Sequence, residues 1–319
     1  MVASMPTRAT QIKRRNHTVN ESYLRRFANN DGFLTGIKLP GDVRFPIAVG
    51  DATVRKNFYV VRLPDGSESD QAEDDFGQVE SNAAAAIRTL IDERAWPVPD
   101  SARTRIAEWV ALQYLRVPWI RQFAHEIAEA LSEVGLPVPA GARDRSTLFM
   151  PADQVDRHGA PAFHLEFIRR QAAVVAEMLY ERDWRLTFYS RRSLATCDAP
   201  VVLRPMIRYP DGTTVAVGTA TEVQVPLDRR VALSILSRRR RGDERVRGAT
   251  KTAMDLNRAT AGNARRYVFH HPDDDPLHGV ALPQPREREL ASPEAAAALV
   301  AGLFDENSSI GPLLDTQPS

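Results

Sequence analysis

A histidine and two carboxylates in this chain stand where an element begins or ends, which is where a titratable side chain can face a pocket. His17 closes the polar run Asn16-His17-Thr18-Val19 just ahead of a short helix. Glu80 falls four residues after Phe76 and three before Ala83, so on a helix it is carried beside an apolar face and must find a partner or shift its pKa. Asp198 precedes Ala199-Pro200 at the end of a β-like run. If the three share one pocket, they can hold a divalent metal with positions open to water and substrate, or divide general acid and general base roles. Each also has a structural use. His17 can brace the helix, Glu80 can be a satisfied helix carboxylate, and Asp198 can accept backbone N–H groups in a turn.

A second set of residues offers ligand contacts. Tyr23 can stack and Arg26 can meet phosphate, while Asn257 and Asn263 lie near the apolar side of a late helix. Those asparagines either orient a ligand or satisfy backbone groups of a neighbouring loop. The arginine pairs Arg14-Arg15, Arg25-Arg26 and Arg265-Arg266 and the run Arg238 to Arg241 can bind nucleotide or nucleic acid if they converge, with Tyr23 or Tyr267 for stacking. No recognised nucleic-acid motif organises them. As separate segments they read as solvent-facing charges offset by the acidic stretch from Asp65 to Glu80, which holds seven acids and no base. His270-His271 and the run Asp273 to Asp275 have metal-like composition, but adjacent residues rarely ligate one ion together.

Composition narrows the classes. Of 319 residues, 43% are hydrophobic and the formal net charge is +1, so a substantial core is expected, and any binding of polyanions must come from a local patch. The single cysteine, Cys197, excludes an internal disulfide and a zinc site built on several thiolates. No window approaches the roughly 18 apolar residues of a membrane span, and Met1 to Pro6 lack the apolar run of a signal peptide. A soluble, cytoplasmic protein with no membrane partner is expected. There is no glycine-rich phosphate loop, no GxSxG elbow and no HExxH pair.

The elements that must position these residues follow in order. Residues 1–12 read as mobile. Asn20 or Ser22 caps a helix whose Tyr23, Leu24 and Phe27 form one apolar face. Phe33 to Leu39 and Val43 to Val49 read as a β-hairpin, and Asn57 to Val61 as a third strand. Phe76, Val79, Ala83, Ile87 and Leu90 outline a helix. Ser101 opens a long one running towards Val134, divided at Pro118. Gly135 to Gly159 reads as a long loop, and Phe163 to Tyr180 as another helix. From Trp184 the pattern turns to short strands, through the Pro210-Asp211-Gly212 turn and Val215 to Val217, as far as Leu236. A helix to Asn263 and a strand at Tyr267 to Phe269 follow. The expected fold is α+β: a helical middle packed on a mostly antiparallel β-rich half, with an N-terminal helix and β-hairpin. Residues 1–275 form the single domain of this reading, and 276–319 a partly disordered appendage.

The residues Asn16 to Val19, Tyr23 to Phe27, Phe58-Tyr59, the Glu80 helix, Thr196 to Val201 and Asn257 to Tyr267 together resemble domain-of-unknown-function family 4238, a group of uncharacterised, mainly bacterial proteins. The similarity spans roughly residues 12 to 270. Asn20 stands where that family usually has proline, and Cys197 where it usually has serine. The resemblance implies an architecture and marks His17, Glu80 and Asp198 as motif positions, but supplies no reaction. Two classes of function stay open: a hydrolase-like enzyme with a His/carboxylate site acting on a phosphate-containing or nucleic-acid substrate, and a non-catalytic binding or interaction module.

Overall fold

The chain is seen in a computed structural model that describes residues 12–63, 65–123, 160–205, 216–237 and 242–286. The expected long loop, the far part of the long helix, the turn at Pro210, the run Arg238 to Arg241 and most of the C-terminal appendage lie outside the described residues.

β1 (Arg15–His17) pairs antiparallel with β4 (Val54–Lys56), with His17 opposite Val54. His17 therefore ends a short strand instead of sitting in a free turn. The Asn20 side chain caps α1 (Glu21–Leu24) by accepting from Tyr23 N–H at 2.6 Å, and a 3₁₀ turn (Arg25–Phe27) extends it. Because 3 and 4 residues bring side chains to one face, Tyr23, Leu24 and Phe27 are all buried. The Tyr23 ring packs on Phe27 and on Trp109, with centroids 5.3 and 5.2 Å apart.

β2 (Phe33–Lys38) and β3 (Val43–Ala48) form the expected hairpin. The third strand does not run from Asn57 to Val61: Asn57 adopts φ 55, which breaks a ladder, so pairing is split between β4 and β5 (Val61–Arg62), the latter paired with β6 (Glu68–Ser69).

α2 (Gln71–Ile91), α3 (Asp100–Leu115) and α4 (Ala160–Tyr180) make the helical layer. α3 packs between the other two, which explains why Ile106, Ala107, Trp109, Val110, Ala111 and Leu112 are all buried and the helix has no clean polar stripe. It stops at Leu115, and helix resumes over 118–123 from Pro118, whose ring would clash inside a continuous helix. His164 ties α4 to the end of α3 by donating from Nε2 to Leu115 O at 2.8 Å.

The β-rich half is a five-stranded sheet in the order β12-β7-β11-β10-β9. It contains β7 (Asp183–Tyr189), β9 (Val202–Arg204), β10 (Glu222–Asp228), β11 (Val231–Leu236) and β12 (Glu244–Gly248). Only the β12–β7 pairing within it is parallel. β12 reads Glu-Arg-Val-Arg-Gly, too charged to signal a strand. Gly248 is required there, because a Cβ would stand 2.1 Å from Tyr189 Cε1. β8 (Thr196–Cys197) and β13 (Tyr267–His270) leave this sheet and complete the N-terminal one, in the order β3-β2-β13-β8. Val268 sits between Ile37 and Cys197 in that register, an apolar row that buries all three. α5 (Thr250–Asn263) leads into β13.

The fold is thus α+β, and one buried cluster takes Phe27 and Leu34 from the N-terminal part, Trp109 from the helices, Trp184 and Val225 from the large sheet, and Phe269 from β13. Among the described residues no helix is long and apolar enough to cross a membrane.

Two consequences are measurable. Leu24→Ala and Phe27→Ala should each destabilise the protein by about 2 to 5 kcal/mol through lost transfer energy and cavity formation, and an unfolding midpoint unchanged by Phe27→Ala would contradict this packing. Burial, with Arg121 beside it, pushes the His164 imidazole down to about 3 from its ordinary 6.5. The unfolded chain takes up this proton first, so stability should fall as pH drops below 6.5 towards 3, by at most about 1.4 kcal/mol per pH unit. Midpoints measured between pH 7 and 5 should show a shallower slope in His164→Gln.

Candidate functional site

The three titratable residues are not brought together. Asp198 follows β8, and its carboxylate accepts from three successive backbone N–H groups: Arg265 to Oδ1 at 2.8 Å, and Arg266 and Tyr267 to Oδ2 at 2.8 and 3.2 Å. Burial pushes this carboxyl up, against the pull of those donors and of Arg265. The role is structural: it clamps the link between α5 and β13 onto β8. Glu80 instead forms an ion pair with Arg116, whose side chain is only 2% exposed against 20% for Glu80. Arg116 also donates to His17 O, and Tyr59 Oη donates to Arg116 O at 2.7 Å. The His17 ring donates from Nε2 to Gly50 O at 3.2 Å, which fixes its tautomer. Glu80 and Asp198 line different clefts and His17 neither of those two, and among the described residues no cluster of three His, Cys, Asp or Glu can hold a metal.

Both late asparagines are spent on backbone. Asn257 is fully buried, accepting from Ala195 N–H at 3.0 Å and donating to Ser193 O and Pro276 O, each at 2.9 Å. Asn263 Nδ2 donates to Ala199 O and to Val201 O at 3.0 Å. The Asn257 amide is fully committed, and so is the Asn263 amide nitrogen. Tyr23 and Arg26 do reach a cleft, of about 460 Å³, which Glu80, Trp109 and Asp228 also line. There Tyr23 Oη shares a hydrogen bond of 2.6 Å with Thr196 Oγ1, while Arg26 grips Asp92 at 2.8 Å and lies 3.3 Å from Asp228. Burial pushes the Asp228 carboxyl up, with Arg26 opposing.

Asp198 lines a second cleft, of about 540 Å³, and its surroundings were not legible as a site in the sequence. Two banks of cations line it: Arg55 and Lys56 from β4, and Arg265 and Arg266 from the link between α5 and β13, with Arg286. The acids are Asp198, already saturated by N–H groups, and Asp51, which pairs with Arg15 at 2.5 Å. Among the described residues no carboxylate lies within ion-pair distance of Arg55, Lys56 or Arg266. The Arg55 pKa is lowered, first by burial and then by the like charge of Arg266, with Asp198 offsetting part of that. The aromatic lining consists of Phe45, Trp119, Tyr267 and Phe269, with Tyr267 edge-on to Phe45 at 6.0 Å and the Arg265 guanidinium 4.9 Å above the Trp119 ring. Thr53, β-branched at φ 61, is held at the cleft edge by Val19, whose N–H it accepts and whose carbonyl it donates to. Only the Arg265-Arg266-Tyr267 run was singled out by sequence. Arg55, Lys56, Arg286, Phe45 and Trp119 come from distant segments that only the fold joins.

The family described as protein of unknown function (DUF4238) matches residues 15–274. The chain belongs to the DUF4238 family. Among curated proteins and among solved structures nothing matches. The span matched to DUF4238 includes both clefts, apart from Arg286. Asn20 and Cys197 have physical accounts. Asn20 both caps α1 and donates its backbone N–H to Gln113 Oε1 at 3.2 Å, a bond proline could not make. Cys197 is fully buried and burial raises its thiol pKa strongly, so it serves as a small apolar residue.

Removing one partner of a buried ion pair strands the other charge. Glu80→Ala should therefore destabilise this DUF4238 protein by about 3 kcal/mol, whereas His17→Ala, which loses one half-buried bond, should cost about 1 kcal/mol. Denaturant titration of the two variants checks this, and a reversed order would overturn the assignment of Arg116 as the buried hub.

Proposed function

We propose that this protein is a binding module whose large cleft takes a phosphate-bearing ligand. The observation that carries the reading is the charge balance of that cleft: among the described residues Arg55, Lys56 and Arg266 line it with no carboxylate in ion-pair distance, while its acids, Asp198 and Asp51, are committed to other partners. Like charges brought together at a cost, as Arg55 and Arg266 are, favour an anion that relieves the repulsion. Arginine also suits phosphate through its planar fork of donors.

A hydrolase-like reading draws support from the smaller cleft. Asp228, pushed up by burial, is suited to hold a proton, and Glu80, paired with Arg116, lines the same cleft, so two carboxyl groups in different surroundings stand there for phosphate-ester chemistry to use. Tyr23 and Arg26 line that cleft as ligand contacts. No metal is needed to state this reading.

Calorimetric titration of the purified protein with inorganic polyphosphate, a nucleoside triphosphate and an oligonucleotide tests the binding proposal. Charge reversal at Arg55 or Arg266, which line the cleft, should weaken the best ligand about tenfold and flatten the dependence of log Kd on log salt by about one contact. Heatless titrations with all three at low salt would sink it. The same preparations assayed for phosphate release address the second reading, which requires that Asp228→Asn abolish any turnover while leaving binding unchanged.

A further inference from the structure

We infer that the ligand of the large cleft is a single-stranded nucleic acid, held by base stacking on Phe45, Trp119 and Tyr267 with its backbone along the two cationic banks. This rests on the phosphate-binding reading above and narrows it.

The first support is what the cleft withholds. Sites for a nucleotide's terminal phosphates commonly present backbone N–H groups. Here the N–H groups of Arg265, Arg266 and Tyr267, the run nearest to such an arrangement, all point at the Asp198 carboxylate. What remains for phosphate is side-chain charge from separate segments: β4, the link between α5 and β13, and Arg286. That pattern tracks an extended backbone.

The second support is the floor. Phe45, Gly36 and Phe269 stand in one row across β3, β2 and β13. Gly36 has no side chain, and a Cβ there would meet the Phe45 ring at 2.8 Å, so the ring lies flat over β2 and widens the aromatic surface. Phe269 is buried in the same row and the Tyr267 ring stacks on it, whereas Phe45, Tyr267 and Trp119 are half-buried. Aromatic faces interleaved with guanidinium groups are what unpaired bases require, since every base has a face to stack and a duplex hides it.

Fluorescence anisotropy with labelled oligo-dT and oligo-rU, competed by a self-paired DNA duplex and by inorganic polyphosphate, tests this on the full chain. The single strands should bind about tenfold or more tightly than the duplex, and Trp119→Leu and Phe45→Leu should each weaken the strand about tenfold while leaving polyphosphate binding unchanged. Tyr267→Phe, which keeps the stacking face, should bind as the parent does. The two strand chemistries decide between DNA and RNA. If polyphosphate and duplex compete as well as the strands and the aromatic variants bind normally, the single-strand inference falls and the phosphate reading stands. If none of the probes binds at low salt, both fall. Should one leucine variant fail to fold, as judged by its unfolding midpoint, the other variant and the parent's strand-over-duplex preference still decide.

Discussion

A guanidinium with almost no access to water is the constraint around which the N-terminal half is arranged. Arg116 closes α3, and removing its charge from solvent is tolerable only because several partners meet it at once. Burial opposes its charge, but Tyr59 and Glu80 outweigh that and its pKa is raised. The carboxylate comes from α2, the carbonyl of His17 from β1, and the Tyr59 and Phe76 rings lie 5.8 and 5.2 Å from its centre. Gln113, one turn earlier on the same helix, accepts from Asn20 N–H and donates to Thr18 O at 3.0 Å. Three backbone groups of residues 17–20 are therefore held by the end of α3: the His17 and Thr18 carbonyls and the Asn20 N–H. Once β1 is fixed this way its partner β4 is fixed too, and β4 carries Arg55 and Lys56 into the large cleft.

The second bank is set by an anion. Three N–H groups in a row would be orphaned between α5 and β13, and the Asp198 carboxylate satisfies all of them. Asn263 adds a second tie by holding the Ala199 and Val201 carbonyls against the end of α5. Arg265 and Arg266 are thereby carried on a link whose backbone is held in place, and Arg266 is kept beside the like charge of Arg55. The motif residues do shape the cleft, but by positioning its walls.

That distinction explains what the sequence could and could not reveal. Tyr23, Leu24 and Phe27 announced a buried face because helical spacing depends only on local geometry, and the β2–β3 hairpin likewise carried its own turn. Glu80 announced itself as a carboxylate beside a core, but its partner lies 36 positions away and cannot be inferred from spacing. Asp198 has the same difficulty across 67 positions. β12 was hidden by its charge, and the departure of β8 and β13 to the N-terminal sheet by their shortness. The aromatic floor depends on Gly36 lying between Phe45 and Phe269, a cross-strand fact with no counterpart along the chain. Spacing exposes elements, whereas the site is made of pairings between elements.

Charge shows the same logic most clearly. A formal net charge of +1 suggests that the arginines are neutralised by the acidic stretch from Asp65 to Glu80. The fold spends that stretch elsewhere: Asp74 pairs with Lys13, Glu68 with Arg14 and Glu80 with Arg116. Glu21 takes Arg25, and Asp92 takes Arg26. The acids thus answer the N-terminal bases and the buried hub, and the cleft bordered by Arg55, Lys56 and Arg266 lies beyond their reach. Within a Debye length of about 8 Å at physiological salt, what a ligand meets is the local excess and not the molecular sum. A nearly neutral protein can therefore carry a strongly cationic cleft, because neutrality is a property of the composition and the field is a property of the pairing.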